Sequence, residues 1–83
     1  MHIRLKLFAN LNQYLPPGAH RNVVEVEAPD GATPHQIMDL YGVPRDQAHL
    51  VVLNGVFVLP HQRSSISLSE GDALALWPPI AGG

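Results

Sequence analysis

The chain opens on a strict alternation. Over Met1 to Ala9, Ile3, Leu5 and Leu7 fall on one side of an extended segment, and His2, Arg4 and Lys6 fall on the other. That is the period of a strand with one buried face. Asn10 to Leu15 reads as a short helical turn stopped by Pro16-Pro17-Gly18. Asn22 to Ala28 alternates again, Val24, Val26 and Ala28 against Glu25 and Glu27. After the turn residues Pro29-Asp30-Gly31, the segment Thr33-Pro34-His35-Gln36 has the form of a capping box with proline at the first helical position. Ile37, Leu40 and Tyr41 supply an apolar stripe, Gly42 fits the residue after the last turn, and Pro44 forbids continuation. A helix of about two turns is predicted. His49 to Leu53 is an apolar run closed by Asn54-Gly55, a strong hairpin signal, with Val56 to Leu59 returning as a short strand. Pro60 to Ser69 is polar and serine-rich and reads as loop. Glu70-Gly71-Asp72 then turns into a last strand, Ala73 to Trp77, which Pro78-Pro79 breaks.

The order is hairpin, helix, strand, short strand, strand. Strong patterning in the first and last strands places them side by side, in parallel, at the centre. The predicted fold is α+β, a mixed sheet of four to five strands wrapping one main helix. Its core is drawn from Ile3, Leu5, Leu7, Val24, Val26, Val52, Leu74 and Leu76. Residues 1–77 form the domain and residues 78–83 a projecting tail. With 83 residues, one domain is all the chain can build, and it buries roughly 60–65% of its unfolded surface. A catalytic domain beside a cofactor domain does not fit.

Composition narrows the function. Net charge is -2, which offers no electrostatic footprint for nucleic acid. Charged residues make up 14%, below the ~25% of ordinary domains, so the surface shows more neutral and apolar groups and points to a partner. The absence of cysteine excludes a disulfide scaffold, a thiolate zinc site, a cysteine nucleophile and a side-chain persulfide. No apolar run approaches the ~18 residues of a membrane helix, so a cytoplasmic protein is expected. The histidines at 2, 20, 35, 49 and 61 lack the spacing of a metal site on one element. His61 lies near Ser64, Ser65, Ser67 and Ser69, but no G-x-S-x-G accompanies them. The expectation is a protein that is not an enzyme by itself, with no metal and no bound cofactor.

The end of the chain is unlike the rest. Gly82 and Gly83 carry no side chain, so a terminal carboxylate there fits a channel too narrow for a Cβ. Pro78-Pro79 favours an extended exit, and six residues reach roughly 20 Å at ~3.3 Å each. Strand parity also sets Phe8 with His2, Arg4 and Lys6, sets Trp77 with Ala73 and Ala75, and opposes Phe57 to Val56 and Val58. The only tryptophan and both phenylalanines are therefore expected on the outer face of the sheet, as a binding surface near the tail.

The opening strand into Phe8-Ala9, Val52-Leu53-Asn54-Gly55, Glu70-Gly71-Asp72 and Trp77-Pro78-Pro79-Ile80-Ala81-Gly82-Gly83 together resemble the MoaD/ThiS sulfur carriers, ubiquitin-like proteins of the β-grasp fold. The ending is most similar to the small subunit of molybdopterin synthase. The resemblance implies that an ATP-using activating enzyme of the MoeB/ThiF type adenylates the Gly83 carboxylate and that a sulfurtransferase converts it to a thiocarboxylate. It also implies that the tail, Pro78, Pro79, Ile80, Ala81 and Gly82, carries the sulfur into a MoaE-type large subunit. Phe8, Phe57 and Trp77 match the family's partner-binding positions. Alternatives of the same kind are a carrier for thiazole synthase and a ubiquitin-like protein modifier joined through Gly83 to lysines.

Overall fold

The computed structural model describes residues 1–79; Ile80, Ala81, Gly82 and Gly83, where the sulfur-bearing terminus is expected, lie outside the described residues. Five strands are present: β1 (His2–Leu7), β2 (Val23–Glu27), β3 (Leu50–Leu53), β4 (Val56–Phe57) and β5 (Ala73–Trp77). They form one mixed sheet in the order β2-β1-β5-β3-β4. The first and last strands run parallel side by side, Leu5 opposite Leu74 and Leu7 opposite Leu76. β2 and β3 flank them antiparallel. The helix α1 (Pro34–Tyr41) covers one face.

The alternating pattern explains why the sheet is one-sided. Ile3, Leu5, Leu7, Val24, Val26, Leu74 and Leu76 are all buried on the helix side. Thr33 caps α1 as the sequence predicts: its hydroxyl accepts from the Gln36 amide at 3.2 Å, and the Gln36 side chain accepts from the Thr33 amide at 2.9 Å. Gly42 ends the helix at φ 75°, a left-handed conformation that suits glycine.

Four readings are corrected. Val52 is not core: the pairing of Val51 with Leu76 turns Val51 inward and Val52 outward, opposite Ala75. The run Leu50-Val51-Val52-Leu53 is apolar on both faces, so it carries no alternation from which to read the phase. Leu40 is 55% exposed, because the helix buries Pro34, Ile37 and Met38 instead, positions at i, i+3 and i+4 counted from the proline. Finally, 60–69 is not simple loop. It contains a 3-10 turn over Pro60–Gln62, and it buries Arg63 and Leu68. The return strand is shorter than predicted, since β4 ends at Phe57.

Candidate functional site

Because β5 is central, its outward residues sit in the middle of the uncovered face. Ala73, Ala75 and Trp77 are those residues, and the small alanines leave the face low beside the tryptophan. Phe8 follows β1, and its amide donates to the Leu76 carbonyl at 3.1 Å. Ala9 then takes φ 51°, a left-handed turn that costs an alanine roughly 1–2 kcal/mol. The Phe8 ring lies over Trp77, with centroids 4.4 Å apart and planes 6° from parallel.

On the other side of β5, Leu50 is opposite Trp77 and Val52 is opposite Ala75. Val52 in turn faces Phe57 on β4, whose side chain is half exposed. Phe8, Trp77, Leu50, Val52 and Phe57 thus make a continuous apolar half of the outer face. The three aromatics expected there from parity share that face; Leu50 is not singled out by the sequence and Val52 is assigned by it to the core, because their outward phase follows only from the β3–β5 register.

At the end of β5 this surface opens into a groove of ≈ 640 Å³ lined by Ala9, Asn10, His49, Leu50, Trp77, Pro78 and Pro79. The lining is mostly apolar, and Pro78 and Pro79 form part of its wall. The last described residues therefore leave the fold directly beside the stacked rings.

The remaining half of the outer face is charged. Arg4 pairs in register with Glu25, and His2 with Glu27. The His2 imidazole lies 3.3 Å from a Glu27 oxygen and 3.5 Å from a Glu70 oxygen. Lys6 stands on the boundary between the halves, opposite Ala75 on one side and Val23 on the other. Among the described residues, no group of three or more histidine, aspartate or glutamate side chains is arranged to hold a metal. No helix is long and apolar enough to cross a membrane among them.

Arg63 supports the apolar half from behind. Its Nε donates to the Val58 carbonyl at 3.2 Å, Nη1 to Ala48 at 3.0 Å and Nη2 to His49 at 3.1 Å. Its guanidinium carbon also sits 6.0 Å from the Phe57 ring centroid, within cation–π range. Burial pushes the Arg63 pKa below the usual arginine value, and the carbonyl dipoles are what it finds in place of water. One side chain therefore ties the start of β3 to the segment after β4 and backs Phe57. No periodicity marks an arginine in a serine-rich stretch as buried.

A mixed sheet in this order over a single helix, with an aromatic outer face beside the exit of the last strand, is a ubiquitin-like β-grasp domain. The ThiS family matches over residues 5–83, and the chain belongs to that family. The chain is similar in structure to SAMP1 from Haloferax volcanii, at 28% identity and TM-score 0.68, covering 100% of both chains. It shares its fold with a chain of the complex of subunits 1 and 2 of molybdopterin-converting factor from Helicobacter pylori (16% identity, TM-score 0.58, 100% of both chains). It does so too with the thiamine biosynthesis protein ThiS from Geobacter metallireducens (16% identity, TM-score 0.61, 96% of this chain and 99% of that one). No curated protein matches the chain.

Proposed function

We propose that the chain is a sulfur carrier that acts through the Gly83 carboxylate. A carboxylate is a poor electrophile at neutral pH. Transfer to ATP phosphorus, with loss of pyrophosphate, turns it into an acyl adenylate with a good leaving group. A persulfide sulfur from a sulfurtransferase then displaces AMP and, after reduction of the mixed disulfide by a thiol, leaves a thiocarboxylate. The activating enzyme is of the ubiquitin-activating type, and ATP is its substrate rather than a cofactor held here.

The observation that carries this reading is the place where the last described residues leave the fold. Pro78 and Pro79 leave β5 beside the Phe8–Trp77 stack and the groove. A partner seated on Phe8, Leu50, Val52, Phe57 and Trp77 would also meet Pro78 and Pro79, where the chain leaves the fold. Two glycines at the end then fit a passage that excludes side chains.

Among sulfur products, molybdopterin is favoured. The Trp77-Pro78-Pro79-Ile80-Ala81-Gly82-Gly83 ending resembles the small subunit of molybdopterin synthase, and that resemblance points to docking on a MoaE-type large subunit. Thiazole synthesis is the alternative destination. A second reading, a protein modifier linked through Gly83 to lysines, is favoured by the similarity to SAMP1 over the whole chain. Cell extract, ATP and a thiocarboxylate-trapping alkylator separate them: a carrier yields trapped monomer, a modifier yields conjugates of many sizes. Deleting Gly82 and Gly83 abolishes either product; retained function without them sinks both readings.

A further inference from the structure

A protein whose own carboxylate is made electrophilic must deal with its own amines. The chain has two kinds, the α-amine of Met1 and a single lysine, Lys6. The α-amine donates to the Ala28 carbonyl at 2.8 Å and is paired with an Asp30 oxygen at 3.1 Å. It must break both contacts to attack anything. The Lys6 side chain forms no hydrogen bond or ion pair among the described residues, and it stands partly buried on the outer face opposite Ala75, which offers only a methyl beside it.

We propose that Lys6 is the acceptor for the activated terminus of a second copy, and that the resulting dimer is closed to further activation. The inference rests on the reading that Gly83 is activated as an adenylate. The neutral Lys6 Nζ attacks the Gly83 carbonyl carbon, the new N–C bond forms, and the C–O bond to AMP breaks. AMP leaves with that electron pair, and the amine releases its proton to water.

The position of Lys6 decides what the product can do. In the dimer, the donor copy keeps an open outer face but has spent its terminus. The acceptor copy keeps its terminus, but a foreign tail now emerges at the border of its apolar half, between Arg4 and Phe8 along β1 and across from Ala75. Neither half offers both the face and the carboxylate that activation requires. In the free carrier the converse holds: a partner seated on the face covers Lys6 and protects the adenylate from it. Docking and acylation therefore compete for one surface, so self-conjugation accumulates when activated carrier outruns its partners.

The test starts from chemistry that needs no activating enzyme. The chain is prepared with Gly83 as a thioester of mercaptoethanesulfonate, mixed with unmodified chain, and mapped by tryptic digestion. A covalent dimer branched at Lys6 is expected to dominate, and Lys6→Arg in both the thioester-bearing and the unmodified copies is expected to abolish it while leaving the melting temperature unchanged. Branching at Met1, a dimer that survives Lys6→Arg, or hydrolysis with no dimer overturns the proposal. The purified Lys6-linked dimer is then incubated with native cell extract, ATP and the thiocarboxylate-trapping alkylator beside the monomer. Trapping of monomer alone is the expected result, and trapping of the dimer at the same level overturns closure. If monomer too goes untrapped, the carrier reading fails, while the thioester result still decides the acceptor role of Lys6.

Discussion

The carbonyls of Ala48, His49 and Val58 converge on one guanidinium, so the loss of Arg63 leaves several partly buried acceptors unpaired at once. Arg63→Ala should cost about 2–4 kcal/mol, read as a shift in the urea midpoint. Lysine has no planar fork and should recover only part of this. An unchanged midpoint for Arg63→Ala would mean that water replaces the guanidinium without loss. A second residue ties stability to pH. His35 has a buried Nδ1 with no hydrogen-bond partner among the described residues, and its pKa is held below 6.5 by burial first and by Arg45 and Arg63 next. The folded state therefore resists protonation that the unfolded chain accepts. Below pH 6.5 the unfolded state binds the extra proton, so stability falls with acidification until the folded pKa is reached and is level above 6.5 on this account. His35→Gln should flatten that slope in denaturation at several pH values; a slope unchanged by the substitution assigns it to other groups.

At the scale of elements, the Asn54-Gly55 hairpin does more than reverse the chain. Asn54 and Gly55 take φ 50° and 83°, as the two-residue turn demands. The Asn54 side chain also reaches the start of β5, donating to Asp72 at 2.9 Å and accepting from the Ala73 amide at 2.8 Å. Asn54→Ala should therefore cost about 2–3 kcal/mol in urea unfolding, since it removes both bonds and leaves a left-handed alanine. A change below the error of the measurement would show that the backbone pairing of Asn54 with Ala73 suffices. Leu5→Ala, in the fully buried row of β1, should cost ~2–5 kcal/mol as a core cavity. Elements such as these were legible because each carries a local mark: alternation in β1 and β2, the Thr33 capping box, the Asn54-Gly55 turn. β3 was legible as a strand but not in phase, since Leu50 to Leu53 is apolar throughout and only its pairing with β5 orients it. The clamp of Arg63 was not legible at all. It depends on carbonyls contributed from residues 5 to 15 positions away, which no local pattern encodes.

For the molecule as a whole, one face of the sheet is spent on the helix and the core, and the other is left uncovered, the face proposed here for a partner. Phe57→Ala should weaken partner binding far more than it lowers the melting temperature, because the ring is 46% exposed on an edge strand. Trp77→Ala should lower both, since its ring is stacked on Phe8. A fall in stability for Phe57→Ala as large as that for Leu5→Ala would make the ring core and refute the docking face. The outer location of these aromatics could be read from strand parity; the Phe8–Trp77 stack and the groove could not, because they depend on the turn at Ala9 and on which strands neighbour β5. The account as a whole stands on Gly83. The most direct test is intact mass analysis of the chain from its native cells, lysed into an alkylating agent that traps thiocarboxylates. The prediction is a population carrying the trapped sulfur at Gly83, absent when Gly83 is deleted. A terminus that is never sulfurated, and is found instead in amide linkage to lysines of other proteins, would contradict it.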